Sequence, residues 1–169
     1  MSVSREADCE LAELGEQIVE SAEALADVII LCPDERWQCT FGVGRRTVEE
    51  SVNLLIERAV SVVSLLTRTT QPSRDEVRPL TAPSEVCFEP LRVDQETAAE
   101  LLRGFARLAV SMMPIEASAR LEGTPGHFDR GDNRWSREVL AAFRELLVDR
   151  LEADGQKIRL ACLGVDHEN

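Results

Sequence analysis

Apolar positions near the start of the chain recur every three or four residues. Ala7, Leu11, Leu14, Ile18, Ala22, Leu25 and Ile29 form one stripe, which predicts an amphipathic helix over about residues 5–31. Glu6, Glu13, Glu20 and Asp27 mark its opposite, acidic face. Pro33 ends it, because the residue before a proline is pushed out of the helical region. A second helix opens at Thr47, where Thr47-x-x-Glu50 reads as a capping box: the hydroxyl accepts from a free amide and the carboxylate reaches back. Val48, Val52, Leu55, Ala59, Val62 and Leu66 supply its buried stripe. The β-branched run from Val60 to Leu66 favours a strand on propensity alone. The persistent three–four spacing and the explicit cap decide for helix.

Residues 67–93 change character, holding Pro72, Pro79, Pro83 and Pro90 among the seven prolines of the chain. They predict an irregular crossover. Extended, it reaches about 85 Å, against about 30 Å for a twenty-residue helix. Such a linker runs the length of a bundle and lets the second and third helices lie parallel. The third helix follows Asp94, a good N-cap, and carries Ala98, Leu101, Leu102, Phe105, Leu108, Ala109 and Met112, and Pro114 stops or kinks it. A Gly/Asp loop at 123–133 leads to a fourth helix from Ser136 to about Cys162. Its apolar positions are Val139, Leu140, Phe143, Leu147, Leu151, Ile158 and Leu160. Gly155 inside it costs about 1 kcal/mol relative to alanine, which implies a bend or the close approach of another backbone. The two halves are alike: each has a helix, a proline break, a loop with Gly and Arg, a hydroxyl cap and a second helix. The pattern predicts one all-α domain over residues 1–169, a four-helix bundle of pseudo-twofold helical hairpins.

Composition narrows the class. In 169 residues, 31 acids against 19 bases leave a net charge of −12, with 44% hydrophobic and 30% charged residues. That is the balance of a soluble globular chain. Five Phe, two Trp and no Tyr make the core aliphatic. The acidic charge, with no basic stripe to offset it, argues against nucleic acid as a partner. The start, MSVSREADCELAELGE, has no basic region leading an apolar stretch, and apolar runs such as Val28–Cys32 are too short to span a bilayer. The expectation is a cytoplasmic protein with no membrane partner. Five cysteines (Cys9, Cys32, Cys39, Cys87, Cys162) with no C-x-x-C fit a reducing compartment.

Three segments carry a resemblance. Cys32-Pro33-Asp34-Glu35-Arg36-Trp37 looks like a turn after helix one. Gly44-Arg45-Arg46-Thr47-Val48-Glu49-Glu50 looks like a Gly-x-Trp-Ser/Thr-Val-x-Glu opening of helix two, with Arg46 in the Trp position. Asp154-Gly155-Gln156-Lys157-Ile158-Arg159 looks like a His-x-x-Gln-Ile-Arg ending of helix four. With the order of helices over residues 8–160, the chain resembles the DinB-like family of bacterial four-helix-bundle proteins, the DinB/YfiT superfamily. The resemblance implies a divalent metal, nickel or zinc, held by three histidines, one on helix two and two on helix four. By position these fall at Leu54, beside Asn53, and near Arg150 and Asp154. None is histidine, and an arginine places a permanent cation where the ion would sit. The expectation is therefore no bound metal at that position and no cofactor, unless the site is rebuilt from other ligands.

Candidate chemistry elsewhere is sparse. His127 and His167 are the only histidines. His127, in Gly-His-Phe-Asp with Asp129 nearby, belongs to a loop that can approach the bundle mouth, and its ordinary reading is an exposed loop histidine. Glu145 and Asp149 lie four apart and read as a solvated mixed-charge face with Arg137, Arg144 and Arg150. Cys39, near Arg36, Arg45 and Arg46, is the best nucleophile candidate; the plainer reading is a small hydrophobe at the bundle end. Gly42-Val43-Gly44-Arg45-Arg46 lacks the spacing of a phosphate loop. The candidate pocket is Asn53, Leu54, Arg150, Asp154 and His127.

The leading expectation is a metal-free bundle acting as a small-ligand-binding or protein-interaction module. The alternative is an enzyme resembling the family's thiol-dependent transferases and isomerases. Scarcity of histidine favours the former, since acid–base work near neutral pH usually recruits it. The resemblance and the frequency of twofold dimers together predict a homodimer. Helix one, with eight acids and one base between Arg5 and Asp27, would keep its acidic face out of the apolar centre. The arginines of helix four or of Arg45-Arg46 are the expected counter-charges.

Overall fold

The computed structural model describes residues 3–41, 46–69, 71–81, 93–113 and 135–165. Among them the chain is all-α apart from one short ribbon. Helix α1 spans Val3–Ile30. Leu31 and Cys32 leave the helix before Pro33, which opens a single turn, α2, Asp34–Trp37. Strands β1, Thr40–Phe41, and β2, Arg46–Thr47, pair antiparallel. Helix α3, Val48–Arg68, starts with the predicted capping box: Thr47 Oγ1 accepts from the Glu50 amide at 3.1 Å, and the Glu50 carboxylate accepts from the Thr47 amide at 2.9 Å.

The crossover is less irregular than its prolines imply. Helix α3 continues to Arg68, and a further helix, α4, spans Arg74–Thr81. Glu76 takes hydrogen bonds from the Ser73 amide and hydroxyl, both at 2.8 Å, which closes the first turn. Val77 is fully buried and anchors it. Residues 82–92 lie outside the described set.

Helix α5, Gln95–Met112, is capped by Asp94, whose carboxylate accepts from the Thr97 amide at 2.8 Å. It ends at Met112, with Met113 extended before Pro114. The predicted fourth helix has three parts: α6, Arg137–Arg144, a π-helical turn at Glu145–Asp149, and α7, Arg150–Cys162. Ser136 Oγ caps α6 through the Val139 amide at 3.3 Å. Helix α7 closes with the Val165 amide on the Leu160 carbonyl and the Gly164 amide on the Ala161 carbonyl, with Gly164 left-handed at φ 72°. This is the Schellman pattern, which needs a residue without a Cβ penalty at that φ.

Helix α5 packs against both α1 and α3, and α7 also meets both. Gln95, at the start of α5, donates to the Cys32 carbonyl at 2.7 Å, while Arg103 further along reaches Glu23, so α1 and α5 run antiparallel. Arg144 donates to Gln17 at 2.7 Å and Ser21 to Glu152 at 3.5 Å, so the α6–α7 unit runs parallel to α1. Arg58 meets Asp154, and Arg74 just beyond α3 meets Glu138 at the start of α6, so α3 opposes α6–α7.

The core is aliphatic, as the composition requires. Leu14, Ile18, Ile29, Leu102, Phe143 and Ile158 are its largest fully buried side chains. Each contributes about 2 kcal/mol relative to leaving it in water. Trp135 stacks on Phe143 with centroids 4.5 Å apart. The predicted stripes of α1 and α3 are buried from Leu11 to Ile29 and from Val48 to Leu66. Leu108 departs from its predicted role and is 43% exposed, because α5 turns Ala106 and Ala109 inward on either side of it. Gly155 departs too: α7 passes through it unbroken, and the nearest atoms facing it belong to the Leu25 side chain, not to another backbone. The irregularity of this helix sits at the π turn instead.

Candidate functional site

A narrow pocket opens between α1, α3, α5, the π turn and α7. Its interior space is about 20 Å³, with Ile18, Leu55, Leu102, Phe105, Leu146 and Leu151 among its walls. Among the described residues, Arg58 is its one charged lining residue. Leu146 comes from the π turn, whose extra residue shifts the side chains that follow it around the helix; such turns recur at functional sites.

Arg58 belongs to α3 one position before the buried Ala59 and three after the buried Leu55. Helical spacing therefore carries its stem along the apolar stripe and its guanidinium toward α7. The side chain is 17% exposed and meets Asp154 at 3.5 Å. Asp154 in turn takes a contact from Lys157 at 3.4 Å. Burial first, and then the neighbouring Arg150 cation, pull the Arg58 guanidinium below its ordinary value. An arginine stays protonated at neutral pH regardless, so this is a desolvated, charged donor beside an apolar hollow.

The sequence-predicted positions distribute as follows. Asn53 is buried on α3 and Leu54 beside it is half-buried; neither lines the pocket. Arg150 and Asp154 gather electrostatically around Arg58. His127, His167 and Cys87 lie outside the described residues, as do the Gly/Asp loop at 123–133 and the Gly42–Arg45 loop. Among the described residues, no three of His, Cys, Asp or Glu converge in a way that could hold a metal ion. Glu145 and Asp149 are both exposed and sit in the π turn.

Arg58 was absent from the sequence reading. The signal was present: a cation adjoining the apolar stripe of an otherwise well-patterned helix. Glu49 was missed as well; it is 8% exposed and receives a hydrogen bond from the Gln38 side chain at the end of α2. No buried side-chain nitrogen or oxygen among the described residues lacks a partner.

The cysteines divide by exposure. Cys39 is exposed and donates its thiol proton to the Glu35 carbonyl at 3.0 Å. Cys9 is also exposed. Cys32 and Cys162 are buried together at the ends of α1 and α7. Burial, and then the Cys32 thiol beside it, push the Cys162 thiol up to about 12, so it is a poor nucleophile at neutral pH.

The acidic face of α1 finds its counter-charge on a different helix from the one expected. Arg103 of α5 meets Glu23 at 2.8 Å and Asp27 at 2.7 Å, and Arg107 also reaches Glu23. The Arg103 hydrogen bond is the main reason the Glu23 carboxyl lies below the usual carboxylate range. Arg144 of α6 meets the neutral Gln17.

No known family, curated protein or solved structure matches the chain. Among the described residues, no helix is long and apolar enough to cross a membrane.

Proposed function

We propose that the chain is a DinB-like four-helix bundle, built from α1, α3, α5 and the α6–α7 unit, that binds a small ligand beside Arg58 without a metal. The observation that carries this reading is the pocket itself: among the described residues, apolar walls from five elements and one charged side chain. Ligand sites have that composition, mostly hydrophobic with few placed polar groups. Among the described residues its lining includes no thiol, hydroxyl, carboxylate or imidazole, so those residues offer neither a nucleophile nor an acid–base pair. A binding role therefore stands ahead of a thiol-dependent transferase or isomerase.

The bundle reading draws support from the pairing and directions of the helices: α3 and α5 both oppose α1, so a crossover through α4 joins two parallel helices. The reading includes a homodimer, with Glu13, Glu16 and Glu20 of α1, all exposed, outside the apolar centre of the interface. Two such faces repel when brought together.

A thermal-shift screen of the full chain against low-molecular-weight thiols, small carboxylic acids, apolar alcohols and divalent metals tests the function. A ligand of the folded state raises the melting point in proportion to its saturation. The expected result is a concentration-dependent rise with at least one acid or alcohol and none with nickel or zinc. A rise confined to the metals overturns the reading.

A further inference from the structure

Two buried cysteines meet at one end of the bundle. Cys32 follows α1 and Cys162 ends α7; both are free thiols, 4% and 8% exposed, within the apolar core. Helices α1 and α7 pack together and run parallel, which brings their C-terminal ends to the same place. The thiols are neighbours, close enough that Cys32 acts on the Cys162 proton. The backbone around each is pinned. The Cys32 amide donates to the Ile29 carbonyl at 3.2 Å, and the Cys32 carbonyl accepts from the Gln95 side chain at 2.7 Å. The Leu163 amide, next to Cys162, donates to the Arg159 carbonyl at 3.0 Å. The Arg36 guanidinium of α2 lies against Gly164 and closes the same end. The sequence neighbours are open to water: Leu31 is 80% and Leu163 68% exposed. Each thiol is therefore one residue from solvent.

We propose that Cys32 and Cys162 are a peroxide-oxidised dithiol, a modification site whose disulfide staples the end of α1 to the end of α7. The oxidant is a small hydroperoxide, of which hydrogen peroxide is the simplest. One thiolate attacks a peroxide oxygen; the O–O bond breaks, hydroxide leaves, and a sulfenic acid forms. The second sulfur attacks the sulfenic sulfur, the S–O bond breaks, and water leaves as the S–S bond closes. Two thiols and one peroxide give one disulfide and two waters, with two electrons passing from sulfur to oxygen. The fold favours this end point. A sulfenic acid at one cysteine meets the other before any outside thiol can reach it, since exchange depends on access. The disulfide also takes less room than the two thiols it replaces, whereas an alkyl or glutathionyl adduct has no room in a packed core. The bond closes a loop of about 130 residues, and a long loop removes much freedom from the unfolded chain.

Treating the full chain with hydrogen peroxide in native buffer, then unfolding and alkylating it, tests the assignment by peptide mass spectrometry. The expected product is a Cys32–Cys162 linkage, lighter by two hydrogens than the reduced pair. Oxidised wild type should melt at least about 5 °C above the reduced protein, and dithiothreitol should reverse the shift. Cys162→Ala should show neither linkage nor shift. If Cys162→Ala fails to fold, judged by circular dichroism, the wild-type linkage map and melting point decide alone. Linkages spread over Cys9, Cys39 or Cys87, or none at all, refute the pairing. A Cys32–Cys162 bond with no rise in melting point refutes the staple.

Discussion

Replacing Gly155 with alanine should stabilise the protein. Glycine inside a helix is disfavoured by about 0.8–1.0 kcal/mol relative to alanine, because it loses more backbone freedom on folding. Whether that gain is realised depends on the space around the new methyl. A Cβ built at Gly155 would lie 3.5 Å from Leu25 Cδ1 and 3.9 Å from Leu25 Cβ. Both are ordinary contact distances, so the methyl fits and adds a few tenths of a kcal/mol of burial, less than the ~0.8 kcal/mol of a fully buried methylene. The sum is about 1 kcal/mol or slightly more, which at this chain length raises the melting point by about 2–4 °C. Gly164→Ala provides the opposite case. Its φ is 72°, a conformation that costs a residue with a Cβ about 1–2 kcal/mol. The new Cβ would lie 2.5 Å from Arg36 Nη2, but that is the free end of a long side chain and can swing away. The backbone sets the sign, so Gly164→Asn should lose less than Gly164→Ala. Urea denaturation of the variants measures both effects, with unchanged slopes confirming that the folded and unfolded states are comparable. A destabilised Gly155→Ala would mean that α7 and α1 are closer than the contact with Leu25 indicates, and the argument would fail.

Thr47→Ala should cost about 1 kcal/mol by urea denaturation, since it removes the hydroxyl that caps α3; a loss under 0.3 kcal/mol, well below that estimate, would show the cap to be redundant. Glu23 lies below its ordinary value of 4.5 because of Arg103, so its contribution is present above that value and is lost as pH falls through the lower folded value. The stability difference between wild type and Glu23→Gln should accordingly shrink on acidification and on adding salt; a difference independent of pH would refute the assignment. Thiol alkylation in native buffer should modify Cys9 and Cys39 and spare Cys32 and Cys162 until the chain is unfolded, as mapped by peptide mass spectrometry. Between the ordinary thiol value of 9.0 and the folded value of about 12, the unfolded chain releases the Cys162 proton first, so stability should fall across that alkaline window and Cys162→Ala should flatten the fall.

What the sequence determined by itself was local. Thr47 with Glu50, Asp94 with Thr97 and Ser136 with Val139 each act over three residues, and each cap formed where it was read. The stripes of α1 and α3 were equally legible, because a period of three to four residues is a property of one helix and needs no neighbour. Ser73 and Glu76 form a capping pair at α4 as well, but the four prolines of residues 67–93 mask that signal in the sequence. The tertiary structure decided everything that depends on which faces meet. Arg103 and not Arg144 answers Glu23, across 80 positions of chain. Arg58 reaches Asp154 across 96. The π turn at Glu145–Asp149 shifts the side chains after it, including those facing the pocket, by a fraction of a turn that no local rule foretells. The candidate site was half legible for the same reason. Arg150 and Asp154 were singled out by position, while Arg58, the side chain they surround, became visible only once α3 lay against α7. Caps and periods are fixed by atoms a turn apart, whereas a pocket is fixed by side chains whose proximity only packing creates.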